Sequence, residues 1–205
     1  SGMAKRTVAD GRTISVSTPE DLDKLIEWVG ARTTSAPAQH EEVATVVHLT
    51  HTVIPEDARI LRELNALSES QGLGVHAYGV RGDNLSRTIT PYRLTEFHAR
   101  SAQAGRLPRP LRYALLLFEV NARFTLRMLK LRPQIVHCHD TMVLPSGALA
   151  KILLRSTVVY DAHELESDKS GQSRALSKAT LLIEKLSWRC IDRLITVSPS
   201  IADWY

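Results

Sequence analysis

The sequence predicts an α/β fold: a Rossmann-like parallel sheet with helices on both faces, preceded by a short N-terminal strand and helix. Three observations carry that expectation. From Thr45 onward, apolar runs of strand length alternate with amphipathic helical stretches. The runs are nearly continuous in Val, Ile and Leu, as strands covered on both faces are. Two of them end in polar clusters, Val136-His137-Cys138-His139-Asp140 and Val158-Val159-Tyr160-Asp161-Ala162-His163-Glu164. In a parallel sheet, ligands bind outside the carboxyl ends of the strands.

A chain of 205 residues with 43% hydrophobic and 23% charged content has the size and makeup of one generous globular domain. No apolar run approaches the roughly 20 residues of a membrane span, and no signal peptide opens the chain. Cys138 and Cys190 give neither a disulfide framework nor a metal knuckle, so a cytoplasmic protein is expected. Ser1-Gly2 before Met3 reads as the scar of a removed tag. The net charge of +4 is unevenly spread. Residues 81–132 hold eleven basic and three acidic residues, which predicts a face that meets an anion such as a phosphate, an acidic glycan or a lipid headgroup. No recognition motif for nucleic acid accompanies the charge and aromatic content is 5%, so nucleic acid is not an expected partner.

Residues 1–42 comprise the scar, an appendage and a linker. Thr13–Val16 is a candidate strand. Thr18-Pro19-Glu20-Asp21 then opens a helix whose Leu22, Leu25, Ile26 and Val29 form one stripe, and Gly30 ends it. Residues 43–205 form the main domain. Its first unit is a strand at Thr45–Leu49, a polar loop from His51 to Asp57, a helix over 58–70 and a strand at Val75–Val80. The basic stretch that follows suggests no regular element before Pro110. There a helix starts that runs to Leu131, with Leu111, Leu115, Phe118, Ala122, Leu126 and Leu129 as its expected buried stripe. Glu119 and Arg123 can pair on its wet side, where Arg127 and Lys130 extend the basic row. Strands at 134–139, 157–161 and 193–197 then alternate with helices over 146–154 and 173–189, and Ser198-Pro199-Ser200 opens a last helix.

Residues 137 and 139 of a strand share a face, so both imidazoles can reach one ligand. One reading is a metal site completed by His163 or Asp161. The other buries His137 in the core and leaves only His139 at the exposed edge. His163 and Glu164 fall in the loop after Asp161, where an imidazole can donate to a phosphate or sugar hydroxyl or accept a proton. The His51–Arg59 loop lies at the same edge. It lacks the glycine fingerprint of dinucleotide sites, and its Asp57 and Arg59 either serve a ligand or pair on the helix surface.

Taken in order, Pro55-Glu56-Asp57-Ala58-Arg59, Pro133-Gln134-Ile135-Val136-His137-Cys138-His139-Asp140, Val159-Tyr160-Asp161-Ala162-His163-Glu164-Leu165 and Asp192-Arg193-Leu194-Ile195-Thr196-Val197-Ser198-Pro199-Ser200-Ile201-Ala202 resemble the N-terminal, acceptor-side domain of family-four retaining glycosyltransferases of the two-domain GT-B type. The resemblance implies that a second, downstream domain binds a nucleotide-sugar donor, that a glycan or lipid-linked acceptor meets this half, and that transfer in the cleft retains configuration without metal or other cofactor. It implies a place for His139 near the transferred sugar and brings His51–Asp57 toward the donor phosphates. Arg59, Asp140, His163 and Glu164 are the further candidate binding residues. The chain ends before a donor domain, so the isolated half is expected to be inactive. The +8 stretch at 81–132 suits peripheral contact with an anionic membrane. Two readings of other classes stand beside this one: a metal-dependent hydrolase using His137, His139 and His163, and an α/β module that binds without chemistry.

Overall fold

The computed structural model describes residues 13–15, 44–70, 72–81, 90–103, 108–162 and 174–204. Among the described residues seven strands form one parallel sheet: β1 (Thr13–Ser15), β2 (Ala44–Leu49), β3 (Leu73–Val80), β4 (Arg93–Phe97), β5 (Ile135–Cys138), β6 (Thr157–Ala162) and β7 (Arg193–Thr196), in the order β1-β7-β6-β5-β2-β3-β4. The helices are α1 (Ala58–Ser68), α2 (Arg109–Leu131), α3 (Leu144–Leu154), α4 (Arg174–Ser187) and α5 (Pro199–Trp204). The expected parallel α/β architecture is what forms. From β2 the chain builds outward through β3 and β4, then returns to β2's other side to add β5, β6 and β7. The direction of winding therefore reverses between β2 and β5, and in open parallel sheets the carboxyl ends of the strands at such a switch point flank the crevice where ligands bind.

Each element has a local cause. Asp57 caps α1, its carboxylate accepting from the Arg59 and Ile60 amides at 3.0 and 3.2 Å. Ile60, Leu64 and Leu67 then bury one side against β3. α2 and α3 each end on an arginine in the left-handed region, Arg132 and Arg155. Gly147 lets α3 press onto β5, for a Cβ there would meet the Cys138 sulfur at 2.7 Å. Cys138 is fully buried, as a small apolar side chain is.

Two expectations need correction. The basic stretch contains β4, an edge strand paired with β3. The stripe Leu111, Leu115, Phe118, Leu126 and Leu129 of α2 faces outward, not into the core. The buried side is Val120, Asn121, Phe124 and Met128. Asn121 belongs there because all its polar atoms are used: its amide donates to the Leu117 and Met142 carbonyls, and its oxygen accepts from the Ser146 amide and hydroxyl. The Glu119–Arg123 pair forms at 2.8 Å as expected, but Arg123 and Arg127 also lie over the Phe97 ring at 4.6 and 5.8 Å. The helix expected after Thr18 lies outside the described residues.

Candidate functional site at the β2–β5 crevice

β2 and β5 pair in register with His48 opposite His137. Since alternate residues share a face, His48, His137 and His139 converge beside the crevice. The His137 and His139 rings stack at 4.2 Å, and His48 lies 4.8 and 5.1 Å from them. One turn into α1 from Arg59, Glu63 reaches into the same cluster, its carboxylate 3.7 Å from His137 Nδ1 and 3.9 Å from His139 Nδ1. His139, at 1% exposure, is buried like His137, so the expected arrangement of an exposed His139 beside a buried His137 is not what forms.

Burial decides the charge states. Desolvation lowers the His48 pKa to about 3 and holds His137 well below its ordinary value, so both rings are neutral at pH 7. The same burial, partly opposed by Arg59, raises Glu63 to about 7. His48 Nδ1 and His139 Nε2 share a hydrogen bond of 2.8 Å. His139 Nδ1 lies 3.5 Å from Asp161; with the proton of that ring on Nδ1, its Nε2 accepts from His48 Nδ1–H. That assignment makes His48 Nε2 a lone pair, and neither it nor His137 Nε2 has a hydrogen-bond partner among the described residues. One ligand atom each from His48, Glu63, His137 and His139 lies within 4.8 Å of the others, a donor set able to hold a metal ion.

Above this floor sits the ionic edge. Asp161, on β6, is buried and forms an ion pair with Arg59, which is only partly covered. Arg59 thus spans from its helix to the sheet, with Asp57 at 4.0 Å. Asp57 itself is the cap of α1. Asp140 organises the other lip. Burial pushes its carboxyl up, but His51 overrides this: the His51 amide donates to Oδ2 at 2.9 Å and His51 Nδ1 lies 2.8 Å from it. The Thr50 hydroxyl adds a bond at 3.2 Å and the Val143 amide another at 3.2 Å to Oδ1. Asp140 is accordingly held below the usual carboxylate range. The His51 side chain is 38% exposed, a polar group offered at the edge.

The structure therefore brings together His51 with Asp140, and Arg59 with Asp161 and His139, on the two sides of one crevice. His163 and Glu164 lie outside the described residues. His48 and Glu63 are members of the cluster that residue patterns did not single out. The signal for His48 was its parity with His137 across the strands; for Glu63 it was the four-residue spacing from Arg59.

A family model described as a glycosyl transferase 4-like domain matches residues 3–205. No curated protein matches the chain. Among solved structures, the chain is similar to sucrose-phosphate synthase from Thermosynechococcus elongatus, with a TM-score of 0.59 and 14% identity. The similarity covers 78% of this chain and 44% of that one. At that identity it speaks for the fold, and the chain spans less than half the length of that protein.

Proposed function

The chain belongs to the glycosyl transferase 4-like domain family, and from that premise we propose that it is the acceptor-side half of a retaining transferase. The donor would be a nucleotide sugar held by a further domain, and the acceptor a glycan or a lipid-linked saccharide. One observation carries the reading: partly exposed polar groups, His51 and Arg59, flank the crevice where the sheet reverses its winding, each fixed by a buried carboxylate. A guanidinium pinned by Asp161 is a preorganised partner for phosphate or carboxylate oxygens. An imidazole pinned by Asp140 can orient a sugar hydroxyl. His139, whose Nδ1 lies 3.5 Å from the Asp161 carboxylate, would stand near the transferred sugar. His163 and Glu164 would complete the rim.

The test is transfer of labelled sugar, by the protein together with its donor domain, from a panel of nucleotide sugars to glycan and lipid extracts. The product is expected to keep the donor's anomeric configuration, with EDTA leaving the rate unchanged. An inverted product or a rate abolished by EDTA would overturn the reading.

The four-residue donor set favours one second reading, a metal-dependent hydrolase. It would use His48 and Glu63 with His137 and His139. Elemental analysis of purified protein separates the two: stoichiometric zinc, iron or manganese supports the hydrolase, and its absence after incubation with each ion dismisses it.

A further inference from the structure

We propose that the outer face of α2, α3 and α4 is a docking surface for an anionic lipid bilayer, an inference that goes beyond the cleft and stands independently of it. α2 packs on α3 and α3 on α4, so the three helices form one layer. Their inward sides carry the core: Phe124 and Met128 from α2, Leu144 and Ala150 from α3, Thr180 and Glu184 from α4. Their outward sides are apolar as well. Phe118 is 73% exposed, Ile152 67% and Leu186 73%. Leu111, Leu115, Leu126 and Leu129 extend the ridge along α2, Leu149 and Leu153 along α3, and Leu182 lies on α4. Of the large apolar side chains exposed among the described residues, all but Val197 lie on these three helices.

Scattered exposed leucines need no explanation, but a concentration on one layer does. The charge on the layer selects the occupant. The three helices hold nine basic residues against two acidic ones, Glu119 and Glu184, and one of the nine, Lys151, pairs with Asp192 at 2.7 Å. Both acids are engaged: Glu119 pairs with Arg123, and Glu184 points inward to the Tyr160 hydroxyl at 2.8 Å. What solvent meets is therefore an apolar ridge among exposed cations, Lys130, Lys178 and Lys185 among them. A second copy of this face would bring like charges together, which disfavours self-association through it. Anionic headgroups over acyl chains match both features: the apolar side chains enter the interface and the cations stay at headgroup level. α2 is too charged and polar to cross a bilayer; no described helix is long and apolar enough for that. The geometry is that of a protein lying on the membrane.

The experiment is co-sedimentation of the chain with vesicles of phosphatidylcholine alone and with phosphatidylglycerol added, at low and high salt. Strong binding to the anionic vesicles is expected, weakened but not abolished by salt, with little on neutral ones. The triple variant Phe118→Ser, Ile152→Gln, Leu186→Gln should lose at least about tenfold in binding with an unchanged thermal midpoint, since these side chains support nothing in the core. Lys130→Glu, Lys178→Glu, Lys185→Glu should lose about tenfold or more on anionic vesicles. Failure of wild type to bind, or both variants binding as wild type does, would overturn the proposal. So would a wild-type dimer in light scattering that the apolar variant converts to monomer, for that assigns the face to a second copy.

Discussion

Glu63→Gln tests the charge states of the histidine cluster. Glu63 binds its proton more tightly in the folded chain than in the unfolded one, where its ordinary value is 4.5, because burial raises it to about 7. A group with a raised folded pKa contributes stability that is present below the unfolded value and is lost as pH climbs through the folded one. Each tenfold in proton affinity is worth about 1.4 kcal/mol, so the carboxylate costs up to about 3 kcal/mol above pH 7. Glutamine keeps the shape and never ionises. The variant should match wild type near pH 4, gain progressively between pH 4.5 and 7, and stand about 2–3 kcal/mol above it at pH 8. His48 and His137 act oppositely: their lowered values remove stability as pH falls below 6.5. Both proteins share that loss, so the difference isolates Glu63. Urea unfolding at five pH values from 4.5 to 8 reads it. A difference that does not vary with pH would refute the burial-driven protonation and with it the neutral floor of the site.

Other consequences follow from the same geometry. Arg59→Met strands the buried Asp161 carboxylate and should cost about 3–5 kcal/mol in denaturant unfolding; Asp161→Asn in the same chain should recover a large part of it, and no recovery would mean the two do not act as a pair. Gly147→Ala drives a methyl to within 2.7 Å of the Cys138 sulfur and should lower stability by about 1–3 kcal/mol, a loss that Cys138→Ala relieves. Equal losses with and without Cys138 would place the clash elsewhere.

The sheet was legible because its strands are short, β-branched and buried on both faces, a composition that helices rarely share. β4 was not: Arg93, Thr95 and Glu96 make it polar, and it lies at an edge where no burial pattern is imposed. For α2, periodicity found a stripe but could not orient it. Apolar residues occupy both sides of that helix, and the side that enters the core includes Asn121, whose satisfaction depends on Ser146 and Met142 25 and 21 residues away. At the site, His137, His139 and Asp140 were visible as a cluster at the end of one strand. Asp161 was visible too, but its ion pair with Arg59 joins residues far apart in the chain; His48 is a single polar residue in an apolar strand, and Glu63 is one of several polar residues of α1. Only strand register and helix placement bring them together.

The proposed function has substrates meeting the β2–β5 edge, with His51 on one lip and Arg59 on the other. The most direct measurement is kcat/KM for sugar transfer by the protein with its donor domain, in wild type, His51→Ala and Arg59→Lys, with folding checked by circular dichroism. Each substitution is predicted to lower kcat/KM by about a hundredfold, because neither a lysine nor an alanine reproduces the pinned donor. Transfer at the wild-type rate by both folded variants would show that substrates do not bind between His51 and Arg59.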